Sequence, residues 1–239
     1  MANSIIHKAD TRGYANHGWL KAKHSFSFAD YYNPERMHFG ALRVLNDDYV
    51  EGGMGFGTHP HNNMEIITIP LAGAIEHKDS MGNGTVIKRG DIQVMSAGSG
   101  IMHSEFNYNK NVPLQLLQIW VFPNKKNVEP RYQQITLNEN SYLNQLLQIV
   151  SPNKEDEGVW VHQNAWFNIG NFSSNQSVSY KLKSADNGVY AFIINGSFEV
   201  DGTLLNSRDG MGIWNTTGFD FKAMEENSEI LLMEIPMKF

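Results

Sequence analysis

The sequence predicts an all-β protein built as two β-barrels in tandem, joined by a short connecting helix. Three observations predict it. Short apolar runs are punctuated by Gly, Asn and Asp about every eight to twelve residues, the rhythm of a sandwich or barrel. A helical period occurs convincingly only at 141–150, where Leu143, Leu146, Leu147 and Val150 follow i, i+3, i+4, i+7 without Gly or Pro. The second half also repeats the first in outline, and such repetition is sought before a fold is assigned.

In chain order, Ser4-Ile5-Ile6 is a short strand, followed by a polar loop to His17. His24-Ser25-Phe26-Ser27-Phe28-Ala29-Asp30-Tyr31-Tyr32 is too polar for a core strand and too aromatic for a free loop. Its plain reading is a loop packed over the barrel, and its functional reading is the wall of a pocket. Strands are expected at 41–45, 65–71, 74–77, 85–88, 92–95, 101–107 and 114–122, with turns at Asn83-Gly84 and Lys88-Arg89-Gly90-Asp91. The helix at 141–150 ends at the charged loop 151–158, which reads as the join. The domains are accordingly 1–135 and 136–239.

In the second half, Asn195-Gly196-Ser197-Phe198-Glu199-Val200 echoes Ala72-Gly73-Ala74-Ile75-Glu76-His77, and Leu231-Leu232-Met233-Glu234-Ile235-Pro236 resembles Leu116-Leu117-Gln118-Ile119-Trp120-Val121. Sliding the Gly73 and Gly196 turns together sets Leu182 and Ser184 against His59 and His61. Matching the last strands sets Gly218 and Asp220 against His103 and Glu105. The second barrel therefore keeps the pattern without the candidate ligands.

Those ligands lie in two short stretches. In Gly55-Phe56-Gly57-Thr58-His59-Pro60-His61-Asn62-Asn63-Met64-Glu65, the two histidines are two apart, and residues i and i+2 of a strand share a face. His103-Ser104-Glu105 repeats the spacing about forty residues on. Three nitrogens and one oxygen suit a catalytic transition metal with positions left open. Four polar groups facing one interior without a metal would be costly to bury. Strand parity alone leaves the carboxylate open, because Glu65 lies four residues from His61 and can also face inward. His77, in Glu76-His77-Lys78-Asp79, reads as a turn residue. His7, His17, His24, His38 and His162 show no partner spacing.

These segments resemble the two motifs of the cupin superfamily, although Ser96 stands where a proline is usual and the gap to His103 is longer. More specifically the chain is similar to pirins. The resemblance is carried by His24–Phe28, Phe39-Gly40-Ala41-Leu42-Arg43-Val44-Leu45-Asn46-Asp47-Asp48, His59–Glu65, Glu76-His77-Lys78-Asp79-Ser80-Met81-Gly82-Asn83, and Met95-Ser96-Ala97-Gly98-Ser99-Gly100-Ile101-Met102-His103-Ser104-Glu105. It covers most of the first half, and the second half only by its barrel pattern.

The resemblance implies a bicupin, two jelly-roll β-barrels in tandem, with one metal in the first. Its ligands would be His59, His61, His103 and Glu105. Iron, as Fe(II), is the usual assignment, with Ni, Co, Mn, Cu and Zn equally compatible with the donors. Glu65 would then be an outer carboxylate holding an imidazole tautomer, or a structural acceptor. Some bacterial members are quercetinases, which open a flavonol with dioxygen and release carbon monoxide. That implies a small phenolic substrate and O2, with Glu105 the catalytic proton acceptor and Phe26, Phe28, Phe56 and Met64 as apolar lining. The human member is described as a nuclear transcriptional co-regulator, so the competing expectation is a metal-binding regulatory module acting through a protein partner. A structural cupin with a vestigial metal site fits an intact ligand set least well.

Composition sets the remaining bounds. With 239 residues, 41% hydrophobic and 18% charged, the chain is a soluble globular protein. The net charge of −6 provides no footprint for direct nucleic-acid binding. There is no cysteine, which excludes disulfides, zinc ribbons and thiol chemistry. Neither a signal-peptide core nor a membrane span is expected, and a cytoplasmic location is the default.

Overall fold

The first half of the chain supplies twelve strands and the second half ten, in a computed structural model that describes residues 2–239. The first group is β1 (Asn3–His7), β2 (Gly13–Asn16), β3 (Leu20–His24), β4 (Leu42–Val50), β5 (Gly55–His61), β6 (Glu65–Ala72), β7 (Ala74–Asp79), β8 (Gly84–Lys88), β9 (Asp91–Ser96), β10 (Ile101–Asn107), β11 (Leu114–Val121) and β12 (Arg131–Thr136). The second is β13 (Leu147–Ser151), β14 (Val159–Trp160), β15 (Trp166–Phe172), β16 (Ser177–Lys181), β17 (Asn187–Asn195), β18 (Ser197–Val200), β19 (Thr203–Asn206), β20 (Gly210–Trp214), β21 (Gly218–Ala223) and β22 (Ser228–Pro236).

Each barrel closes a seven-stranded sheet against a four-stranded one. In the first the orders are β12-β9-β6-β11-β4-β3-β2 and β5-β10-β7-β8. In the second they are β1-β20-β17-β22-β15-β13-β14 and β16-β21-β18-β19. The first strand thus belongs to the far barrel: β1 pairs antiparallel with β20, Ile5 opposite Gly212. No helix is long and apolar enough to cross a membrane among the described residues.

The two large sheets pack back to back. Leu45, Ile67, Ile69, Val94, Leu117 and Ile119 on one side meet Phe167, Ile169, Tyr190, Phe192, Leu231 and Met233 on the other in a single buried cluster. Each such side chain contributes about 1.5–3 kcal/mol on burial, so the layer between the barrels is as much a core as either interior. Alternation along β11 explains the layering. Leu117, Ile119 and Val121 face the second barrel, leaving Leu116, Gln118 and Trp120 to line the first.

That layering corrects the alignment of the two halves. Leu231, Met233 and Ile235 occupy the layer between the barrels, so Leu231 corresponds to Leu117 and not to Leu116. A slip of one residue exchanges the faces of a strand. Strand pairing gives the true equivalence. His103 pairs with His59, and Glu105 with His77; Phe219 pairs with Tyr180, and Phe221 with Val200. Phe219 and Phe221, not Gly218 and Asp220, therefore stand where the first barrel has His103 and Glu105.

The connecting helix is one turn of 3-10 helix, Glu139–Tyr142, capped by Asn138, whose side chain accepts from the Asn140 amide. The residues expected to carry it, 141–150, do otherwise. Asn144 takes a left-handed conformation (φ 55°) that ends the turn, and β13 then pairs with β15. Leu143, placed on the apolar face of that helix, is exposed. A short leucine-rich run satisfies both periods, and a waiting sheet edge supplies the hydrogen bonds that decide between them.

Candidate metal centre and cavity

The site is built where β5, β10 and β7 meet the inner face of the large sheet. A bulge in the β5–β10 pairing makes it. Ile101 and His103 pair with His61 and His59, but Glu105 then pairs with Phe56, so β5 carries one extra residue. The shift lets Phe56 face inward with the histidines. A Cβ on Gly55 would lie 2.2 Å from the Glu105 carbonyl oxygen, so only glycine allows β5 this close to β10.

His59, His61 and His103 converge. Their ring centroids are 4.4–4.9 Å apart, and each offers a nitrogen within 4.8 Å of the others. His59 Nδ1 donates to the Gly57 carbonyl at 2.8 Å, which accepts only, so Nε2 keeps its lone pair. His103 is 2% exposed, and neither ring nitrogen has a hydrogen-bond partner. Burial, then His59, His61 and His77, push its pKa down to about 2. Burial and His59 bring His61 down to about 4. Three converging imidazoles, with both buried nitrogens of His103 unsatisfied, fit a transition metal.

Glu105 is buried and joins His103 and His77 in a second group of converging donors. Burial raises its carboxyl to about 7. Gln118 Nε2 donates to Glu105 Oε2 at 2.8 Å, and Thr68 Oγ1 donates to Gln118 Oε1 at 2.9 Å. The threonine hydroxyl thereby fixes which way the amide points. Glu105 Oε1 has no partner. Glu65 is buried elsewhere: Ser96 Oγ donates to its Oε2 at 2.7 Å, beside Arg131, and it belongs to neither donor group among the described residues.

A cavity of about 220 Å³ opens beside the imidazoles. Phe28, Phe56 and Trp120 give it aromatic walls, and Asp48, His24 and Gln118 give it polar ones. Of the expected lining residues, Phe28 and Phe56 are in place. Phe26 instead packs between the barrels against Tyr190, and Met64 packs on the Ile66 cluster.

Three groups at the site are not singled out as site residues by the sequence. His77 is fully buried on β7, its ring 5.3 Å from that of His103 and its Nε2 3.3 Å from Asp79. The strand runs on through Asp79 where a turn was expected; alternation from Ile75 would have placed His77 inside. His24 lines the cavity with its Nδ1 2.8 Å from Asn46 Oδ1. Asp48, also in the cavity wall, has its carboxyl pushed up to about 8, first by burial and then by Asp47 and Glu105.

A family model described as Pirin matches residues 6–121, and one described as the quercetinase C-terminal cupin domain matches residues 148–235. The chain is 40% identical over 233 residues to a quercetin 2,3-dioxygenase of Escherichia coli strain K12, covering 97% of this chain and 98% of that one. It is 38% identical over 226 residues to a pirin-like protein of Caulobacter vibrioides, covering 94% and 96%. A solved structure of a bacterial pirin from Escherichia coli in complex with nickel(II) superimposes with a TM-score of 0.92 at 38% identity, covering 98% of this chain and 99% of that one.

Proposed function

This chain belongs to the pirin family, and we propose that it is a metal-dependent dioxygenase of the quercetinase type, opening a flavonol or related phenolic enol with O2. The observation that carries the reading is a cluster of three converging imidazoles, two of which line an aromatic cavity. The 40% identity to a protein named quercetin 2,3-dioxygenase supports it. We assign His59, His61, His103 and Glu105 as the metal ligands, and place the domain division at 1–135 and 136–239, apart from β1, which joins the sheet of the second barrel.

Fe(II) is the metal we prefer, with Ni, Co, Mn, Cu and Zn as alternatives; once bound, it would supply Lewis acidity and redox chemistry. The chain's own residues do the rest. Phe28, Phe56 and Trp120 hold the aromatic rings and keep water from the reacting face. Glu105 receives the enol proton at Oε1, the oxygen left free by the Gln118 contact. General-base help of this kind is worth about 10²–10⁴ in rate. Gln118, held by Thr68, keeps the carboxylate aimed during that transfer.

The test is oxygen uptake with quercetin after the metal content has been measured and Fe(II) added. Metal-dependent uptake that is lost in His59→Ala is the expected result. A protein that holds one metal but consumes no oxygen with quercetin or related phenols would favour a regulatory module acting through a protein partner, or an enzyme with another substrate.

A further inference from the structure

We propose that Asp48 is a specificity-determining residue of the cavity, accepting a hydrogen bond from a ring hydroxyl of the phenolic substrate at a point separate from the imidazole cluster. The inference rests on the phenolic reading above and deepens it. Asp48 is 6% exposed, and its carboxyl receives no hydrogen bond from the described residues; Oδ1 is wholly buried without a partner. The sheet explains why. On either side of Asp48 the paired residues are Ala22 on β3 and Leu116 on β11, and neither has a polar side-chain atom to offer.

The next inward-facing row is entirely different. His24, Asn46, Gln118 and Thr68 lie side by side across β3, β4, β11 and β6 and hydrogen-bond among themselves and to Glu105. Asp47, one residue away on the outer face, is met by Arg12 and Arg208. Cations are thus close at hand in the fold, and Asp48 has none. Buried polar groups are satisfied as a rule, and an exception in the wall of a cavity is a group reserved for what enters it. A phenolic hydroxyl is a strong donor of the required kind. The aromatic walls would accept the ring that carries it. A site built to hydrogen-bond a hydroxyl discriminates against the analogue that lacks one, because its own polar group is then left unpaired.

The experiment compares quercetin, rich in ring hydroxyls, with 3-hydroxyflavone, which has the same enol and no others. Dissociation constants are measured by fluorescence titration of the metal-loaded protein without oxygen, for wild type, Asp48→Leu and Asp48→Ala. Wild type should bind quercetin about tenfold or more tightly than 3-hydroxyflavone, the discrimination of one hydrogen bond to a carboxyl. In the variants the ratio should fall to within about threefold, with the affinity for 3-hydroxyflavone preserved. Both unliganded variants should melt no lower than wild type, because an unpaired buried carboxyl has been removed.

An unchanged ratio, an equal loss for both ligands, or a lower melting temperature in both variants would overturn the role of Asp48 while leaving the phenolic reading intact. Equal binding of the two flavonols by wild type would do the same. Failure of wild type to bind either would overturn both.

Discussion

The two barrels share strand order but fill their interiors in opposite ways. In the second, Phe172, Phe198, Phe221, Val200, Leu205 and Leu232 form a continuous apolar interior. Its most deeply buried carboxylate among the described residues, Glu234, is fully answered. Tyr180 Oη donates to one oxygen at 2.8 Å, while the Lys183 and Ser184 amides and Asn187 Nδ2 donate to the other. In the first barrel the corresponding space holds histidines, amides and two carboxyls that the protein does not satisfy. Glu105 has a single amide donor to one oxygen and nothing on the other, and Asp48 has none. A buried acid with all its donors supplied belongs to the architecture; one left wanting belongs to a ligand.

The comparison is most directly broken at the imidazoles. His103→Ala should abolish metal binding and oxygen uptake while leaving the second barrel folded. Loss of an outer-shell partner alone costs about 10–100-fold in affinity, so loss of a ligand should exceed that. Metal content by mass spectrometry after dialysis would check it. Glu105→Gln should melt within a degree or two of wild type yet lose about 10²–10⁴ in turnover, read from oxygen uptake at saturating metal; unchanged turnover would remove Glu105 from catalysis.

Glu234→Leu gives the reverse pattern. Stripping four donors of their shared acceptor should cost about 3–5 kcal/mol, visible as a lower urea midpoint, while the metal content of the folded fraction stays the same. Were the effects of Glu105→Gln and Glu234→Leu alike, the contrast between the barrels would fail.

A smaller effect concerns how the chain's first strand holds to the second barrel. His7, buried on β1 with Nδ1 2.9 Å from Tyr190 Oη, has its pKa lowered to about 4, first by burial and then by Arg36. The unfolded chain therefore takes up this proton first as pH falls below about 6.5. Stability from His7 is fully present above that pH and declines until about pH 4, by roughly 3 kcal/mol at most. The difference between the urea midpoints of wild type and His7→Gln should shrink over that window. The smallest expected change is Thr68→Val, which frees the Gln118 amide to rotate. It should weaken metal affinity by about tenfold, the lower end of such effects, without altering the melting temperature by more than a few degrees.

How much of this was legible beforehand depended on whether neighbours in sequence were neighbours in space. His59 and His61, and likewise His103 and Glu105, are two residues apart on single strands, and a period of two is enough to read them. His77 was hidden because its partners, Glu105 on β10 and Tyr132 on β12, come from distant strands. The second-barrel equivalents lie one residue from where the sequence alone sets them, since the repeated Leu-Leu of the last strands fits either register and only the layer between the barrels distinguishes them.

Taken alone, the sequence determined the all-β class, the tandem repeat, the candidate metal ligands and the absence of thiol chemistry. These follow from local period, turn residues and composition, which act within a few residues of the chain. The tertiary structure decided the rest. Glu105, rather than Glu65, stands beside histidines because the β5–β10 bulge and the Ser96 contact send the two carboxylates to different places. Asp48 is left without a donor because Ala22 and Leu116 happen to flank it across the sheet. The N-terminal strand belongs to the second barrel because β20 offers it an edge. Each of these depends on register and closure between strands far apart in the chain, and no local pattern encodes them.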